Sequence, residues 1–69
     1  SEILEGFYNH LEETLIAIEF LDPQYPKHLM RKLRILYKKA EPTVEEINIL
    51  RGILTATLKQ STNKKEPHS

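Results

Sequence analysis

Cysteine and tryptophan are absent from this 69-residue chain, and glycine occurs twice. Without cysteine there is no disulfide framework and no thiolate metal site; such usage fits a reducing compartment, and a cytoplasmic location is expected. Few glycines and no tryptophan argue against a sheet-rich or loop-rich fold. No apolar run approaches the roughly 20 residues that span a bilayer, and no charged-then-apolar leader of the secretory type opens the chain, so no membrane partner is expected. The sequence starts at Ser1 inside a helical pattern, which reads as a piece of a larger protein.

Charge of one sign is also missing from each of the first two segments of the chain. Ser1 to Asp22 carries Glu2, Glu5, Glu12, Glu13, Glu19 and Asp22 without a lysine or arginine, whereas Pro23 to Ala40 carries Lys27, Arg31, Lys32, Arg34, Lys38 and Lys39 without an acid. A formal net charge of zero therefore conceals a segregated dipole. On a helix, Lys27, Arg31, Arg34 and Lys38 fall at i, i+4, i+7 and i+11, one stripe of four cations. Such a stripe suits a phosphate backbone, and it also suits an acidic helix of the same molecule.

A chain of this size forms one domain, and compact helices are its economical solution. The spacing of Leu4, Tyr8, Leu11, Leu15 and Ile18, flanked by Ile3 and Phe7, predicts a first helix from about Glu2 to Phe20. Leu21 to Pro26 breaks it, because each proline disfavours helical geometry in the residue before it. A second helix is expected from Pro26 to about Ala40, with Leu29, Leu33, Leu36 and Ala40 inward, joined by Met30 and Tyr37. Thr43-Val44-Glu45-Glu46 is a capping box, opening a third helix that buries Val44, Ile47, Leu50, Ile53, Leu54 and Leu58. The expected fold class is all-α: a small three-helix bundle over residues 1–60, followed by a disordered tail at 61–69.

No catalytic constellation emerges. His10, His28 and His68 are scattered and read as solvent-facing; Glu12 and Glu13 are adjacent and point about 100° apart, so they cannot act as a facing acid and base. Gly6 and Gly52 form no phosphate-cradling loop. Gly52 lies mid-helix at a cost of about 1 kcal/mol against alanine, which predicts close approach of a neighbouring helix. Asn48, on the same face, is expected to bond a helix terminus or the Asp22-Pro23 turn. Arg51 suits either a carboxylate (Glu12, Glu13 or Asp22) or a phosphate. No metal site and no cofactor site are expected within these residues.

Phe20-Leu21-Asp22-Pro23, then Pro26, then Leu29-Met30-Arg31-Lys32-Leu33-Arg34, and finally Glu46-Ile47-Asn48-Ile49-Leu50-Arg51-Gly52-Ile53-Leu54 resemble the C-terminal helical extension of the bacterial TrmJ-type tRNA 2′-O-ribose methyltransferases. The resemblance runs from about Phe7 to Leu58. It departs from the family pattern at Glu19, where glycine is usual, and at Tyr25, where a polar capping residue is usual before Pro26. It implies a parent protein whose knotted SPOUT domain, absent here, binds S-adenosylmethionine, forms a homodimer and methylates a ribose in the tRNA anticodon loop. It also implies that this piece is an accessory module without catalysis of its own.

Two readings follow. In one, helix two is exposed and Lys27, Arg31, Arg34 and Lys38, extended by Arg51, bind tRNA phosphates with little base selectivity. Base stacking has weak support, since Phe7, Tyr8, Phe20, Tyr25 and Tyr37 fall mostly on or near apolar faces. In the other, Glu5, Glu12 and Glu19 of helix one neutralise those cations, and the bundle packs on its own N-terminal catalytic domain or on a second copy without contacting RNA.

Overall fold

The computed structural model describes residues 2–65 of the chain, with side chains as far as Thr62. Three helices follow one another: α1 (Glu2–Ala17), α2 (Lys27–Ala40) and α3 (Val44–Lys65). The described residues contain no strand. The all-α three-helix bundle is thus the observed architecture.

Its core joins all three helices and one loop. Phe7, Tyr8 and Leu11 of α1 meet Leu21 of the first loop, Met30 of α2, and Ile47 and Leu54 of α3, with Leu4, Leu15, Leu29, Leu33, Tyr37 and Leu50 half-buried around them. Phe7 is the deepest aromatic, 1% exposed. Its ring meets Tyr37 edge-on at 4.9 Å and Tyr8 tilted at 5.7 Å, geometries that suit the aromatic quadrupole. The backbones of α1 and α3 approach closely, whereas α2 stands further off and is joined through these large side chains. Thr14 is wholly buried, and its hydroxyl has no hydrogen-bond partner among the described residues.

Several residues assigned to the core by periodicity lie outside it. Ile3, Leu36, Val44 and Ile53 are exposed, as is Ala40. Each helix carries an apolar arc wider than the strip its neighbours cover, and the covered strip is set by Phe7, Met30, Ile47 and Leu54.

α1 stops three residues before the expected Phe20 because Glu19 adopts the left-handed conformation, φ 66°. The amides of Phe20 and Leu21 both bond the Leu15 carbonyl, and that of Glu19 bonds Ile16, a Schellman-like closure. This bend directs Leu21 into the core and leaves Phe20 63% exposed. Glycine takes this conformation without Cβ strain. Glu19→Gly is therefore expected to stabilise the domain by about 0.5–1 kcal/mol, raising the thermal midpoint by roughly 2–8 °C. An unchanged or lowered midpoint in a circular-dichroism melt contradicts this reading of the bend.

The remaining ends are built locally. In the first loop the Asp22 carboxylate accepts the Gln24 amide at 2.9 Å and the Asp22 carbonyl accepts that of Tyr25 at 3.1 Å. α2 closes on Glu41 in the left-handed region, whose amide reaches the Tyr37 and Lys38 carbonyls. α3 starts with the expected reciprocal box: Glu46 N–H to Thr43 Oγ1 at 3.1 Å, and Thr43 N–H to Glu46 Oε1 at 2.9 Å. α3 passes the expected end near residue 60 and reaches Lys65, since no breaker intervenes before Pro67. The segment expected to be disordered from Ser61 is accordingly helical as far as Lys65; the remainder, 66–69, lies outside the described residues, as does His68.

Candidate nucleic-acid interface on the second helix

α2 presents its bases on the side away from the core. At about 100° per residue, Lys27, Arg31 and Lys38 fall within some 40° of one another, and Lys32 and Lys39 lie about 100° further round. All five side chains are exposed, and none forms an ion pair among the described residues. Ile35 sits among them, 51% exposed, so the surface is cationic with an apolar centre. Lys27 to Lys38 spans about 16 Å of helix axis, comparable with several successive phosphates of one strand. No acidic residue lies in the first turn of α2, and no side chain caps it, so the positive helix end adds to the same potential.

Arg34 behaves differently from its neighbours. It leans toward α1, where Nη1 donates to Glu5 Oε1 and Oε2 at 3.3 and 3.1 Å. Its guanidinium carbon lies 4.6 Å from the Tyr8 ring centroid, a cation–π placement. The Tyr8 hydroxyl in turn donates to the Arg34 carbonyl at 3.3 Å. Burial pushes the Tyr8 phenol above its ordinary pKa; the Arg34 charge opposes the shift and Glu5 reinforces it. Arg34 thus ties α2 to α1. Of the carboxylates proposed to neutralise α2, Glu5 alone does so, since Glu12 and Glu19 form no ion pair among the described residues.

Arg51 is also held by α1, not by a carboxylate. Its Nε donates to His10 Nδ1 at 3.2 Å. Its Nη1 lies 3.2 Å from where a Cβ on Gly6 would stand, so the close approach expected at Gly52 occurs at Gly6 instead. Gly52 faces open space, and nothing in the structure explains it. Asn48 is exposed and forms no hydrogen bond among the described residues, in place of the expected structural one. His10 is half-buried and engaged, whereas His28 is exposed as expected.

Of the four residues singled out from spacing, Lys27, Arg31 and Lys38 share the free face, while Arg34 contacts α1, as does Arg51, named as the extension of the stripe. Spacing alone did not find Lys32, Lys39 and Ile35 on the same surface. It also missed Tyr25 beside its leading end: the residue is 75% exposed. Among the described residues, no group of three His, Cys, Asp or Glu side chains is placed to hold a metal ion, and no helix is long and apolar enough to cross a membrane.

Comparison with known proteins gives this surface a context. Residues 2–67 match the family described as tRNA methyltransferase TrmJ, C-terminal domain. The chain is 59% identical over 56 residues to the tRNA (cytidine/uridine/adenosine-2′-O-)-methyltransferase TrmJ of Pseudomonas aeruginosa, covering 81% of the chain and 22% of that protein. It is 48% identical over 61 residues to the tRNA (cytidine/uridine-2′-O-)-methyltransferase TrmJ of Klebsiella pneumoniae, covering 88% and 25%. With the Escherichia coli K12 protein of the same description it shares 47% over 62 residues, covering 90% and 25%. The chain thus spans about a quarter of the length of these relatives. No solved structure matches it. Because the match extends through all three helices and both loops, the basic face of α2 included, the chain belongs to the family of C-terminal domains of the tRNA methyltransferase TrmJ.

Proposed function

We propose that this domain binds tRNA through the outward face of α2 on behalf of a 2′-O-ribose methyltransferase. The upstream part of that parent protein, a SPOUT domain, holds S-adenosylmethionine, dimerises and transfers the methyl group. One observation carries the reading: Lys27, Arg31, Lys32, Lys38 and Lys39 stand exposed on one helix without ion-pair partners among the described residues, in a chain whose net charge is zero. Arg34 serves the fold, and Arg51 sits on the seam between α1 and α3. Contacts of this kind grip phosphates and position the RNA, leaving the choice of nucleotide to the catalytic part.

The apolar surface supports a second, compatible role in packing on the parent's own catalytic domain. Ile3 and Val44 are exposed and line, with Pro42 and Ile47, a concavity of about 350 Å³ at the end where α1 begins. In a C-terminal domain the upstream polypeptide joins at that end.

An NMR titration of the ¹⁵N-labelled 69-residue chain with tRNA tests the assignment of faces. Shifts are expected in residues 27–39, strongest around Lys27, Arg31 and Lys38. Shifts centred on Ile49 and Ile53, or none at low salt, overturn it.

A further inference from the structure

Two of the five aromatic side chains of this protein, Phe20 and Tyr25, are largely exposed, and both lie on the loop that leads into the basic helix. An aromatic ring left in water forgoes the burial that stabilises a fold, and the core here holds Phe7 and Tyr8. Neither exposed ring serves the loop's own geometry. The turn is held by Asp22, through its carboxylate to Gln24 and its carbonyl to the Tyr25 amide, while the Tyr25 hydroxyl has no partner among the described residues. Tyr25 instead forms one wall of a concavity of about 410 Å³, completed by Gln24, Pro26, Lys27 and His28.

We propose that this concavity receives one unpaired nucleotide of the bound RNA, its base stacked on Tyr25 and its phosphate held by Lys27. The inference rests on the RNA-binding reading and adds the class of ligand at the leading end of α2. The side chains match the parts of a nucleotide. A phenol ring offers a π-face to any base, the Lys27 ammonium meets the phosphate, and the Gln24 carboxamide supplies both a donor and an acceptor for a base edge. A base within a duplex presents no free face, so the site selects unpaired RNA, whereas the cations further along α2 grip phosphates of paired and unpaired strands alike.

The test compares Tyr25→Ala, Tyr25→Phe and the unaltered chain in binding a short single-stranded RNA and a blunt RNA duplex at one salt concentration. Circular dichroism checks that helicity is kept, as expected for an exposed loop side chain. Tyr25→Ala is expected to weaken single-strand binding roughly 5- to 150-fold, the equivalent of about 1–3 kcal/mol for one stacked base, while duplex binding stays unchanged. Tyr25→Phe keeps the ring and is expected to match the unaltered chain. Equal single-strand affinity of Tyr25→Ala and the unaltered chain overturns the nucleotide site alone and leaves the phosphate-binding face standing; so does an equal loss on both RNAs. Failure of the unaltered chain to bind either RNA overturns both.

Discussion

Phe7→Ala is expected to cost this domain about 3–5 kcal/mol and to lower its thermal midpoint by more than about 10 °C. The ring is 1% exposed and touches Tyr8 and Tyr37, so its removal leaves a cavity bordered by α1 and α2. Truncating a buried phenylalanine to alanine costs about 3–5 kcal/mol. A domain of this length has roughly 3–10 kcal/mol in all, at about 0.05–0.15 kcal/mol per residue. The loss therefore removes from about a third of that margin to all of it. It falls hardest on α2, which lacks the close backbone approach that joins α1 to α3 and depends on Met30, Tyr37 and the Tyr8–Arg34 contacts. Ile3→Ala, at an exposed position on the same helix, is expected to change stability by less than about 1 kcal/mol. Thermal or urea unfolding of the two variants separates them. A Phe7→Ala domain that melts within a few degrees of the unaltered one contradicts the placement of Phe7 at the centre of the core.

How far the sequence foretells this arrangement depends on whether the signal is local. The start of α3 was legible because Thr43 and Glu46 satisfy each other's backbone amides within a single turn. The basic composition of α2 was legible for the same reason. The end of α1 was not, since a left-handed glutamate is unfavourable in itself and is held here by the demand that Leu21 enter the core. Nor does spacing distinguish Arg34 from Arg31. They lie within about 60° of each other on the helix, and what separates their roles is Glu5 and Tyr8 on a different helix. The same limit applies to Leu36 and Ile53, whose apolar arcs read as core but fall outside the strip that packing covers. The sequence pattern places Tyr25 with the apolar faces, and only the direction of the loop reveals that its ring is exposed.

The phosphate-binding face yields the second large effect. Arg31→Glu combined with Lys38→Glu replaces two attractions by two repulsions, each of order 1 kcal/mol at contact in water and reduced by salt. A net loss of about 2–3 kcal/mol follows, a roughly 30- to 150-fold weaker affinity for tRNA. Both side chains are exposed and unpaired among the described residues, so helicity and melting temperature are expected to stay near those of the unaltered domain. Arg34 is unsuited to this purpose because its reversal breaks the tie to Glu5 and Tyr8. Lys59→Glu, on the exposed side of α3, serves as the control for a charge reversal placed away from α2.

The dissociation constant for tRNA, followed from about 50 to 200 mM salt for the unaltered chain, the Arg31→Glu/Lys38→Glu variant and the Lys59→Glu control, reads the number of phosphates each engages. The slope of log affinity against log salt is expected to be shallower by about 2 in the α2 variant and unchanged in the control. Identical slopes and affinities for all three chains contradict the claim that α2 carries the RNA.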